Sequence, residues 1–125
     1  MSPATRTAEI ARTPRAPAEA RDMVASLALD QVTADAVRLA VSELVSNAVM
    51  HGTGAIIVTL ANQPDGVRIS VTDDGRGFSR SGDPAMPPAD SPGGRGLALV
   101  AMLAERWGVE PGDPTRVWCV IPRAA

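Results

Sequence analysis

Glu43, Asn47 and His51 stand four residues apart in a stretch reading Val41-Ser-Glu-Leu-Val-Ser-Asn-Ala-Val-Met-His51-Gly52. On a helix, at about 100° per residue, that spacing gathers them on one arc. A carboxylate, an amide and an imidazole then line up with Leu39, Ala40 and Met50 among them. Polar groups in apolar company cost free energy unless something pairs with them. A ligand or metal is one candidate partner; the plain alternative is a solvated helix face.

Two glycine-bearing stretches offer further chemistry. Asp73-x-Gly75-x-Gly77 follows an alternating segment directly. Its glycines let backbone approach a flat ligand, and an ionised Asp73 accepts a hydrogen bond from an exocyclic amine, worth about 1.5–3 kcal/mol. Adenine has an amine where guanine has a carbonyl, so such a contact tells them apart. Gly93-Gly94-x-Gly96 precedes a helical pattern, where free N–H groups and the helix dipole suit phosphate. No Gly-Lys-Ser/Thr follows and no strand leads in, so this is neither a Walker A loop nor a dinucleotide fingerprint. Each stretch alone is also what an ordinary turn or helix cap looks like.

These residues need elements to hold them. Residues 1–15 read as a flexible arm with room for a short edge strand, and residues 16–125 as a single domain. Ala16 to Leu29 reads as a helix with Pro17 in its first turn. The long helix runs from Ala34 to about His51, with Thr33 as its cap, Gly52 as its stop and Val37, Val41, Leu44, Val45 and Ala48 inward. Arg38, Ser42 and Ser46 fall on a wet arc. Ala55 to Ala61 and Val67 to Thr72 read as an antiparallel hairpin about Pro64-Asp65-Gly66. Residues 79–92, rich in Pro, Ser and Asp, hold no regular element, and a loop of that length is usually functional. A third helix is expected from Leu97 to about Trp107, ended by Gly108. Thr115 to Ile121 is the last strand. Helices on one face of a mixed, mainly antiparallel sheet make a two-layer α/β sandwich.

The totals narrow the field. The chain has 125 residues, a net charge of −2 and a pI of about 5.3, so bulk electrostatics do not favour nucleic acid. No apolar run approaches the roughly 18 residues of a membrane span. The first residues lack the apolar core of a signal peptide, which implies a cytoplasmic protein. The single cysteine, Cys119, lies in an apolar strand pattern and reads as core.

Taken together, Glu43-x-x-x-Asn47, Asp73-x-Gly75-x-Gly77 and Gly94-x-Gly96 form a specific set. The chain resembles the GHKL, or Bergerat-fold, ATP-binding family shared by histidine kinases, from about Ala16 to Pro122. Glu43-Leu-Val-Ser-Asn47-Ala-Val-x-His51-Gly52 and Gly93-Gly-Arg-Gly-Leu-Ala-Leu-Val100 look most like the anti-sigma-factor serine/threonine kinases, in particular short actinobacterial ones. That resemblance implies ATP and Mg²⁺ as cofactors, with Asn47 on the metal and Glu43 as general base toward a Ser hydroxyl. It implies Asp73 on the adenine amine, Gly75 and Gly77 as the adenine wall, and Gly94, Arg95, Gly96 and Leu97 over the phosphates. Residues 79–92 would be the lid, and Thr115 would help hold adenine and a water beside Asp73. The partners implied are a sigma factor, an anti-sigma-factor antagonist and a second copy of the chain, with no direct nucleic acid. A nucleotide-dependent binding module without kinase activity is the alternative. The pattern departs at Pro114, where the family often has Gly, and at Asp74, which adds a second carboxylate.

Overall fold

A computed structural model describes residues 5–74, 94–110 and 114–124. Five strands form one sheet in the order β1-β2-β3-β5-β4, and the four pairings among them are all antiparallel. The strands are β1 (Thr5–Ile10), β2 (Ile56–Gln63), β3 (Gly66–Asp73), β4 (Arg106–Glu110) and β5 (Thr115–Ile121). Three helices accompany them: α1 (Ala16–Met23), α2 (Gln31–His51) and α3 (Gly94–Leu103). The two-layer α/β sandwich expected from the sequence is the fold observed; among the described residues no strands pair in parallel, as a mixed sheet would need.

Alternation builds the interface between the layers. Ile56, Val58 and Leu60 of β2, Val67, Ile69 and Val71 of β3, and Val117, Cys119 and Ile121 of β5 are buried. They meet Val37, Val41, Leu44, Val45 and Ala48 of α2, the five residues that helical spacing turned inward. Ser42, expected on the wet arc, is buried as well, and its hydroxyl donates to Leu39 O at 3.0 Å. That bond satisfies the hydroxyl, so a serine is buried at this position at little cost.

Element ends moved where local chemistry outranked periodicity. Residues 5–10 of the expected arm are an edge strand, Thr5 lying opposite Ala61 and Ile10 opposite Ile56. The first helix ends at Met23 and passes into a 3-10 turn, Val24–Ser26. Thr33 does not cap α2. The cap is Asp30, whose carboxylate accepts from Thr33 N at 3.0 Å. Hydrogen bonds from the Thr33 hydroxyl and then from its N–H hold the Asp30 carboxyl below the usual range. Thr33 itself is buried, and its Oγ1 accepts from Ala124 N at 2.9 Å, tying the last strand's tail to the start of α2.

The third helix begins at Gly94 and stops at Leu103, so Trp107 and Gly108 belong to β4 and not to a helix end. Trp107 pairs with Cys119 and Gly108 with Trp118. The indole of Trp118 occupies the space a side chain would take at Gly108, where a Cβ would lie 3.0 Å from Nε1. Glycine there serves close packing and not helix termination.

Candidate functional site

Asp73 ends β3 and Thr115 begins β5, and the register sets them directly opposite each other. Asp73 is 7% exposed and Thr115 2%. The α2 helix crosses this end of the sheet and presents Asn47, 3% exposed, to the same place. A small cleft opens between helix and sheet, lined by Leu44, Asn47, Ala48, His51, Val71, Asp73, Thr115 and Val117. Three polar groups from three separate elements thus converge on a pocket whose floor is aliphatic. That is the usual make-up of a small-molecule site.

The amide of Asn47 is conspicuous. Its Nδ2 is shut off from solvent and has no hydrogen-bond partner among the described residues. A buried amide donor left unmade costs about 1–3 kcal/mol, so a ligand group is the natural complement. Turning the amide over exchanges its N and O without changing its shape. The same position then offers an oxygen of the kind Mg²⁺ takes while keeping most of its waters. Among the described residues no three His, Cys, Asp or Glu groups cluster as a metal cage.

Glu43 lies one turn before Asn47, half-buried, and its carboxylate reaches the first turn of α3. A Cβ at Gly96 would lie 2.6 Å from Glu43 Oε2. The glycine therefore leaves room for the Glu43 carboxylate at the point where the sequence places phosphate binding. Leu97 is fully buried, so its side chain is core and only its backbone is available to a ligand. Gly94 and Arg95 form the start of α3. Gly75, Gly77 and residues 79–92 lie outside the described residues.

Gly52 has a role that helical periodicity did not reveal. It ends α2 with extended backbone, φ −97° and ψ −173°, open to any residue. The need for glycine is steric: a Cβ would fall 2.5 Å from Cγ and Oδ2 of Asp73. Gly54, with φ +72°, packs against the Asp74 side chain, and Asp74 N donates to Thr53 O at 3.0 Å. Arg12 was also not foreseen. From the turn after β1 it donates to Ala48 O, to Val49 O at 3.1 Å and to Gly54 O at 3.2 Å. Its only sequence signal was an arginine in an apparently shapeless arm.

The model of the histidine kinase-like ATPase domain family matches residues 7–120. Among solved structures, the crystal structure of the RsbU and RsbW domains of Rv1364c from Mycobacterium tuberculosis superposes with a TM-score of 0.70 at 24% identity. The match covers 98% of this chain and 33% of that one, so this chain spans about a third of its length and the likeness is one of fold. No protein of curated function matches the sequence.

Proposed function

The chain belongs to the histidine kinase-like ATPase family, and from that premise we propose that it is an ATP-dependent serine/threonine protein kinase of the anti-sigma-factor kind. It would bind and restrain a sigma factor, and phosphorylate a Ser on an antagonist protein. The observation that carries this reading is the cleft itself. Asp73 with Thr115 suits an adenine amine, and the orphaned Asn47 amide lies beside them. The similarity in fold to a chain that includes an RsbW domain supports the choice within the family.

In this reading Asp73 accepts from the adenine amine, and Thr115, its cross-strand neighbour, helps hold the adenine and a water beside that carboxylate. Asn47 would hold Mg²⁺, whose charge offsets that of the phosphates. Glu43 orients the attacking hydroxyl, a task that is chiefly one of position. Gly94, Arg95 and Gly96 would cover the phosphates from the start of α3; the adenine wall of Gly75 and Gly77 and the lid at 79–92 fall outside the described residues. The working form is a cytoplasmic homodimer.

Two experiments test the proposal. Calorimetric titration with ATP and GTP, with and without Mg²⁺, should show magnesium-dependent binding of ATP alone. Asp73→Asn should weaken that binding about 10- to 100-fold, the equivalent of the 1.5–3 kcal/mol of a hydrogen bond to a charged group. Transfer of labelled phosphate from ATP to antagonist proteins should then be lost in Glu43→Ala while ATP affinity holds. A Glu43→Ala chain that still transfers phosphate at full rate removes the assigned base. Binding without any transfer leaves a nucleotide-controlled binding module.

A further inference from the structure

Arg12 lies outside the cleft, in the turn between β1 and α1, yet its guanidinium joins the end of α2 to the connector that follows it. Nη1 reaches the carbonyls of Ala48 and Val49, in the last turn of α2, and Nε reaches Gly54 O, beyond the helix end. A helix ends with carbonyls unpaired and a partial negative charge, and here Gly52 N supplies one backbone cap, to Ala48 O at 2.9 Å. A lysine could answer the same charge. What the forked guanidinium adds is a fixed relation between the helix end and the connector that follows it.

That connector, Gly52-Thr53-Gly54, is the back wall of the recognition carboxylate. Gly52 presses on the Asp73 carboxyl, Thr53 O accepts from Asp74 N, and Gly54 packs on the Asp74 side chain. The connector is therefore held between Arg12 on one side and the end of β3 on the other. Two of its three residues are glycines, whose backbone is the freest to wander. Nη2 of Arg12 is shut off from solvent and has no partner among the described residues. An unspent buried donor weakens the case for Arg12 as a device of stability alone.

We propose that Arg12 is a positioning residue for base recognition. By pinning the connector to the end of α2 it fixes the direction of the Asp73 carboxylate, and discrimination between adenine and guanine nucleotides depends on it although it touches neither. The inference rests on reading the cleft as an adenine site.

The test is calorimetric titration of the full chain with ATP and with GTP, for wild type, Arg12→Ala and Arg12→Lys, at a temperature where circular dichroism shows each folded. Thermal unfolding is recorded in parallel. Arg12→Lys retains a cation at the helix end and should keep a near-native melting temperature. It cannot fork to Gly54 O, so its ATP-over-GTP preference should narrow at least tenfold, and that of Arg12→Ala at least as much. A helix cap without a positioning role would lower the melting temperature and leave the preference unchanged. An Arg12→Lys chain as selective as wild type overturns the proposal alone, whether or not Arg12→Ala folds. A wild-type chain that binds both nucleotides alike, or neither, overturns the adenine reading and this proposal with it.

Discussion

Gly52 shows how a single atom decides what a carboxylate can do. Replacing glycine by alanine in extended backbone usually stabilises by about 0.4–1 kcal/mol through the unfolded chain. At Gly52 the new Cβ would meet the Asp73 carboxyl at 2.5 Å. The side chain of Asp73 is short and can yield by turning off its rotamer, at about 0.5–1.5 kcal/mol. The two contributions nearly cancel in the fold, but the carboxylate no longer points where it did. Gly52→Ala should therefore melt within a few degrees of wild type while ATP affinity, read by calorimetry, falls at least tenfold. Asn47 and Asp73 stood out in the sequence through residue types at fixed spacing, and Thr115 through the family resemblance; the structure brings the three to one cleft. Arg12 was not, because its partners are backbone carbonyls about forty residues away, and carbonyls carry no letter.

Element boundaries were less legible than element types, for a related reason. The existence of α2, β2, β3 and β5 followed from periodicity, and Thr115–Ile121 was placed to the residue. The α3–β4 junction was misjudged because Trp107-Gly108 looks like a helix end in one dimension. In three dimensions Gly108 is the cross-strand partner of Trp118, and Glu105 N donates to Val120 O at 2.8 Å, which commits the chain to the sheet. Gly108→Ala tests that account. Its Cβ would lie 3.0–3.1 Å from three atoms of the Trp118 ring. The Arg68 guanidinium also stacks on this ring, at 4.5 Å from its centroid, so a displaced ring loses that contact too. Overpacking of this kind costs about 1–3 kcal/mol, more than the entropy gained. The variant should show a lower urea midpoint with ATP affinity intact, the reverse of Gly52→Ala.

For the molecule as a whole, the core sets its alkaline limit. Burial pushes the Cys119 thiol from its ordinary 9.0 up to about 12, with Arg68 offsetting a small part. The folded chain then binds a proton that the unfolded chain releases, so stability is complete below pH 9.0 and is lost between there and about 12. The slope is about 1.4 kcal/mol per pH unit. Urea midpoints between neutral and alkaline pH should fall more steeply for wild type than for Cys119→Ala, and thiol reagents should reach Cys119 only on unfolding. The fold class was readable from the order of elements, since helices alternating with hairpin-linked strands have few ways to cover their apolar faces. That the edge strand β1 leads directly into Arg12 was not readable, because β1 alternates only weakly between polar and apolar.

The two tryptophans of the chain, Trp107 and Trp118, both lie on the β4–β5 edge, and there is no tyrosine. Val117 turns toward the cleft and Trp118 to the opposite side of the sheet. Ultraviolet emission excited in this protein therefore comes from one corner, with indole the only strong source. The cleft is walled by β5 as well as by α2 and β3, but Trp118 faces away from it, so a nucleotide settling there should change that light less than opening of the sheet does. A change in emission on adding ATP that remains after correction for the nucleotide's own absorption would provide an optical readout of motion reaching the β4–β5 corner from the cleft.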